Sequence, residues 1–175
     1  MIKVLHNPKS EEYLRFKEFI LSDDMRWGYN SYTTKSEKEG HTNVGMYVHG
    51  MLIAPENTPH KVPSVSDKAM FDTASKLCYD ILLENGIEVK TFLRLCINCV
   101  HPYSEVVKTV PHQDHPRIKE HNNLLIYLTN AGGKTVVGDE YHDPQEDDII
   151  TFGGDEHYHY TPEKERRIVI VGTFI

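Results

Sequence analysis

Residues 147–175, DDIITFGGDEHYHYTPEKERRIVIVGTFI, decide the fold. Three short segments rich in β-branched and aromatic residues (DDIITF, DEHYHY and RRIVIVGTFI) are parted by a Gly-Gly pair and by the turn Pro162–Glu165. Such runs read as strands, and no helical pattern lies between them. Working back toward the N-terminus, GKTVVG (133–138), NNLLIYLTN (122–130) and VKTFLRLCINCV (89–100) are of the same kind. Six or seven consecutive short strands without intervening helices describe a mostly antiparallel β sandwich or barrel.

The first half supports that core. SEEYLRFKEFILS (10–22) reads as a short helix behind a Ser10 cap, with Tyr13, Phe16, Phe19, Ile20 and Leu21 apolar. WGYNSYTT (27–34) and VGMYVHGMLIA (44–54) read as strands, and PENTPHKVP (55–63) as a Pro-rich loop. A longer helix is expected over 66–85, capped by Ser64 or Ser66, with Asp67 at its positive end. Met70, Ala74, Leu77, Cys78 and Ile81 form its apolar face, and Asn85-Gly86 ends it. The expected domain is one unit over 1–175. Residues 1–90 form the supporting, substrate-side part, and 91–175 the metal- and cofactor-binding core.

With 175 residues, 39% hydrophobic and 26% charged, the chain is expected to be a soluble globular protein. The opening MIKVLHNPKS lacks a secretory h-region, and no run suits a membrane span. Three cysteines suit a reducing compartment, so the expected location is cytoplasmic. A net charge of -7 argues against a sequence-independent grip on nucleic acid.

Histidine is over-used, at 11 of 175 residues. His112-Gln113-Asp114 places an imidazole and a carboxylate two apart on an extended segment, so both reach one ion. A third, distant ligand would complete a two-His-one-carboxylate face with three positions left for small molecules. Alone the triplet is weak, since chance supplies roughly 0.7 of them at this composition. His157 and His159 share a strand face. Arg167 heads a strongly apolar strand, which is costly unless an anion meets it; the bland alternative pairs Arg166 and Arg167 with Glu163 or Glu165. Cys96 and Cys99 face opposite sides of a strand and read as packing.

In order, these pieces resemble the 2-oxoglutarate- and iron(II)-dependent oxygenases, most closely the small prolyl-4-hydroxylase-like branch of bacteria and phages. FLRLCIN precedes His112-Gln113-Asp114; LLIYLTN carries a Tyr127-Leu128 pair; Gly132-Gly133-Lys134-Thr135 resembles Gly-Gly-Glu-Thr, with Lys134 the departure. His157, Pro162 and Arg167 resemble the distal histidine, its following proline and the later arginine. The likeness covers about residues 91–175.

The resemblance implies a mainly β (α+β) fold, a double-stranded β-helix or jelly-roll barrel with N-terminal supporting helices. It implies Fe(II) on His112, Asp114 and His157, with His159 the alternative third ligand. Arg167 would hold the far carboxylate of the co-substrate 2-oxoglutarate, assisted by Tyr127. Dioxygen is the second co-substrate, and ascorbate a candidate stimulant. The implied activity is hydroxylation of an unactivated C–H bond in a small molecule, peptide or protein, and Asp114 argues against halogenation. No nucleic-acid or membrane partner is expected. The rival readings are a metal-binding cupin enzyme that does not use 2-oxoglutarate and a non-enzymatic jelly-roll binding protein.

Overall fold

The long strands of the second half alternate between two covered faces, which is why their apolar runs are nearly continuous. The computed structural model describes residues 1–34, 43–118 and 120–175. Lys119, in the HPRIKEHN segment (115–122) expected to be a loop beside the substrate, therefore lies outside the described residues. Along the chain come β1 (Lys3–Leu5), α1 (Glu11–Leu21), β2 (Gly28–Asn30), β3 (Met46–Ile53), a 3-10 turn (Pro55–Asn57), β4 (Ser64–Val65) and α2 (Lys68–Glu84). The second half supplies β5 (Phe92–Val100), β6 (Asn122–Tyr127), β7 (Thr135–Val137), β8 (Glu140–His142), β9 (Ile149–Gly153), β10 (His157–His159) and β11 (Arg167–Phe174). The major sheet runs β1-β9-β6-β11-β5-β3-β2, with β4 on β3, and the minor sheet runs β10-β7-β8. All their pairings are antiparallel. Together they form a jelly roll, the fold that the resemblance implies.

On one face of the major sheet, Leu95, Ile97, Leu124, Ile126, Ile149, Ile168 and Ile170 pack against α1 and α2. Each such buried Leu or Ile contributes about 1.5–3 kcal/mol by leaving water. On the other face Cys96, Leu125, Tyr127, Ile150, Phe152, Val169 and Val171 meet Val137 of the minor sheet. Cys96 and Cys99 fall in different cores, as a two-residue period requires.

The Ser10 side chain caps α1 by accepting from the Tyr13 N–H, and Glu11 and Glu12 sit in its positive first turn. Of its apolar positions, Tyr13, Phe16 and Ile20 are buried, whereas Phe19 is exposed. Asp147 anchors this helix to the loop before β9, accepting from Tyr13 Oη (2.6 Å), Lys9 Nζ (3.0 Å) and Lys17 Nζ. The cap of α2 is Asp67, which accepts from the Met70 N–H at 3.1 Å. The expected serines are engaged elsewhere. Ser64 pairs with Ile53 in β4, and Ser66 Oγ donates to the Gly50 carbonyl at 2.6 Å. Gly86 ends α2 with φ +72°, a conformation glycine adopts without strain. The strand expected over 27–34 is confined to Gly28–Asn30, and two short strands, β1 and β8, add edges to the sheets.

Candidate metal centre

His112 lies outside the named strands, on the segment joining β5 to β6, yet it pairs with His157 of β10 through the backbone. His112 N donates to His157 O at 3.0 Å, and His157 N donates to His112 O at 2.9 Å. Residues directly opposite in an antiparallel pair project to the same side. The two imidazoles accordingly sit with centroids 4.5 Å apart. Each ring holds its Nδ1 to a carbonyl: His112 to Val110 O and His157 to Asp155 O, both at 3.0 Å. A carbonyl only accepts, so each Nδ1 carries the proton and each Nε2 keeps its lone pair.

Both Nε2 atoms face Asp114, His112 at 3.8 Å from Oδ1 and His157 at 3.6 Å from Oδ2. One ligand atom from each of His112, Asp114 and His157 lies within 4.8 Å of the others. Burial alone would raise the Asp114 pKa, but the Arg94 guanidinium, then His157 and His112, bring it down to about 2. The carboxylate is therefore ionised at neutral pH. Burial also holds the His157 pKa below the usual histidine range, which keeps its ring neutral. Two imidazoles and a carboxylate suit a divalent transition metal such as iron.

His159 points into the same cavity without joining this cluster. Its Nδ1 holds Tyr160 O at 2.9 Å. Burial, then the nearby Arg167, pushes its pKa down to about 3.

Arg167, 5% exposed, opens β11 elsewhere in the cavity. Its Nε donates to Gly133 O at 3.2 Å and its NH2 group to Thr135 Oγ1 at 2.9 Å. The guanidinium lies 5.2 Å from the centre of the Tyr127 ring. Among the described residues no carboxylate forms an ion pair with it, so the pairing with Glu163 or Glu165 does not occur. Tyr127 Oη meets Thr135 Oγ1 at 2.8 Å, so it reaches this end through the threonine. Gly133 explains the Gly-Gly pair: at φ +78°, a Cβ there would sit 2.8 Å from Arg167 Cδ and from Tyr160 O. Lys134, where the resembled motif has glutamate, turns to Asp143 and the Tyr141 ring.

The cavity holds about 400 Å³. Among the described residues its permanently charged walls are Arg94, Asp114 and Arg167. Met46, Val48, Leu52 and Ile53 of β3 supply an apolar wall. Sequence reasoning gave no role to His115 and His121, which are 1% and 3% exposed. His115 bonds Glu56 Oε2 through Nδ1 (2.9 Å) and Thr173 Oγ1 through Nε2 (2.7 Å). His121 packs where a Cβ on Gly154 would come within 2.6 Å of its ring. Neither interaction leaves a local sequence signal. Thr135 was visible only as the end of the Gly-Gly motif.

No family model matches the sequence. No curated protein matches it. Solved structures do. A 2OG-Fe(II) oxygenase family oxidoreductase from Burkholderia pseudomallei superposes with a TM-score of 0.61 at 16% identity, covering 85% of this chain and 74% of its own. A prolyl hydroxylase from Trichoplax adhaerens, in complex with a hypoxia inducible factor oxygen degradation domain peptide fragment, gives 0.60 at 12% identity, covering 99% and 83%. The non-heme alpha ketoglutarate dependent epimerase SnoN from nogalamycin biosynthesis gives 0.56 at 12%, covering 99% and 77%. At such identities the likeness speaks to architecture, and a fold hosts more than one reaction. The chain has the jelly-roll fold of the 2OG-Fe(II) oxygenases.

Proposed function

We propose that this chain is a single-domain 2-oxoglutarate- and Fe(II)-dependent dioxygenase that hydroxylates an unactivated C–H bond, in an amino acid or in a peptidyl residue such as proline. His112, Asp114 and His157 are its metal ligands. Arg167 receives the 5-carboxylate of 2-oxoglutarate, and Tyr127 steadies that end through Thr135. One observation carries the reading: a single cavity holds a His-Asp-His cluster and, apart from it, a buried guanidinium that has no acidic partner among the described residues. A buried cation of this kind calls for a ligand anion. The peptide held by the Trichoplax neighbour supports a peptidyl substrate.

The iron would supply dioxygen activation, coupled to decarboxylation of 2-oxoglutarate to succinate and CO2. The chain's own part is electrostatic and geometric. Asp114 arrives ionised, and His112 and His157 arrive as the tautomers with free Nε2. The apolar β3 wall keeps water from the substrate's reacting carbon. With Asp114 in place as a ligand, the outcome is hydroxylation rather than halogenation.

The test is thermal stability with Mn(II) or Fe(II), with and without 2-oxoglutarate, because a ligand of the native state raises its melting temperature. Metal and 2-oxoglutarate should stabilise together. Stabilisation by metal alone would indicate a cupin-type enzyme, and by neither a binding protein.

A further inference from the structure

One half-buried charge beside the metal cluster has no part in this scheme. Arg94 begins the cavity-facing row of β5, followed by Cys96, Asn98 and Val100. Its NH2 group donates to Asp114 Oδ1 at 2.9 Å. Among the described residues Asp114 is its one ion-pair partner, and its Nε is buried without a hydrogen bond. The other carboxylate oxygen, Oδ2, is the one nearer His157.

The segment carrying Asp114 is not itself a strand, so its shape depends on what grips it. His112 is held by the backbone pair with His157. The residue opposite Arg94 on β11 is Thr173, and it holds His115. Glu56, in the 3-10 turn, holds the other side of the same ring. Arg94 thus grips the one residue of the three whose side chain has two equivalent ligand atoms.

We infer that Arg94 is a positioning residue that holds Asp114 by Oδ1, so that the carboxylate ligates the metal through Oδ2 alone. The inference rests on the metal assignment made above. A carboxylate binds a cation through one oxygen or through both. An oxygen committed to a charge-assisted hydrogen bond gives that bond up before it can turn to the ion. One-oxygen ligation keeps three metal positions for small molecules. Two-oxygen ligation would remove one of the positions that a chelating 2-oxo acid needs. Arg94 would then govern co-substrate affinity without touching the co-substrate.

The experiment compares wild type, Arg94→Met and Arg94→Lys. Three quantities are read: Mn(II) affinity by titration, 2-oxoglutarate affinity on the Mn(II)-loaded protein, and the melting temperature of the metal-free protein. Methionine matches the arginine stem in length and removes every donor. Arg94→Met should keep its Mn(II) affinity, or tighten it, and weaken 2-oxoglutarate by about tenfold or more. Arg94→Lys keeps one charged donor and should fall between. It carries the comparison with wild type should the methionine variant fail to fold. Unchanged 2-oxoglutarate affinity in metal-loaded Arg94→Met would overturn the inference. So would a collapse of Mn(II) affinity, which would mean that Arg94 merely keeps Asp114 in the site. If wild type itself binds neither Mn(II) nor 2-oxoglutarate, the dioxygenase reading fails first and takes this one with it.

Discussion

Replacing Arg167 with glutamine should separate cofactor binding from folding. In the metal-loaded variant, the 5-carboxylate of 2-oxoglutarate would lose its charged partner, at a cost of about 3–5 kcal/mol. That corresponds to roughly 150- to 5,000-fold in the Kd for 2-oxoglutarate. Metal-free stability should change far less. Among the described residues the guanidinium, 5% exposed, has two hydrogen bonds and no acid, so removing it relieves a buried charge without a counter-ion there. Against that, the Gly133 carbonyl loses its donor, which costs about 1–3 kcal/mol. The two effects oppose, and a net change within about 2 kcal/mol moves the melting temperature by no more than about 8 °C at this chain length. The assay is a melting curve at rising 2-oxoglutarate with Mn(II) fixed. Wild type should gain about 2.7 kcal/mol at a hundredfold excess over Kd, and Arg167→Gln no more than about 0.3 kcal/mol at the same concentration. The shift produced by Mn(II) alone should persist. If Arg167→Gln keeps the wild-type response to 2-oxoglutarate, the anchor lies elsewhere and the reasoning from an unpaired buried charge is refuted.

The distal ligand can be tested by exchange: His157→Ala should lose the Mn(II)-induced melting shift and 2-oxoglutarate turnover, whereas His159→Ala should keep the metal shift. The opposite pattern would transfer the ligand role to His159. Acid stability should depend on Asp147, whose pKa is lowered because hydrogen bonds from Lys17, Tyr13 and Lys9 outweigh its burial. A depressed carboxylate stabilises the fold above its unfolded pKa, and that contribution fades as the pH falls through the folded value. Asp147→Asn should therefore cost about 1.5–3 kcal/mol at neutral pH and flatten the loss of stability on the acid side of the carboxylate range. Asparagine suits the φ of +71° at this position, so backbone strain should not confuse the result. Parallel acid limbs for the two proteins would dismiss the network.

Period and punctuation carried most of the fold. The Ser10 cap and the alternation within β5, β6, β9 and β11 are local features, and they appear in the structure where the pattern put them. Competition is what local reading could not resolve. Ser64, Ser66 and Asp67 all satisfy an N-cap preference, and only the pairing of β4 with β3 and the Gly50 carbonyl remove the two serines. β1 has three residues, too few to show a period, and it exists because β9 offers it an edge. The ambiguity between His157 and His159 has the same origin. Both face one side of a strand, and only the cross-strand partner, His112, distinguishes them. Nothing local to Arg94 announces its place beside Asp114, which lies on the long segment that follows β5. His115 and His121 were equally silent, since their burial depends on Glu56, Thr173 and Gly154.

The minor sheet is slight: three strands of three residues each, with isolated bridges to the 108–112 segment at His157 of β10 and at Tyr160 just beyond it. Ladders this short open more readily than the eight- and nine-residue strands of the major sheet. A cation shared by His112 and His157 would fasten that hinge shut from the inside. Amide hydrogens of β7, β8 and β10 should then exchange quickly in the metal-free protein and slowly in the loaded one, while the helix-backed sheet hardly changes. Without the cation, the same seam would open to a protease more readily than the ladders of the major sheet.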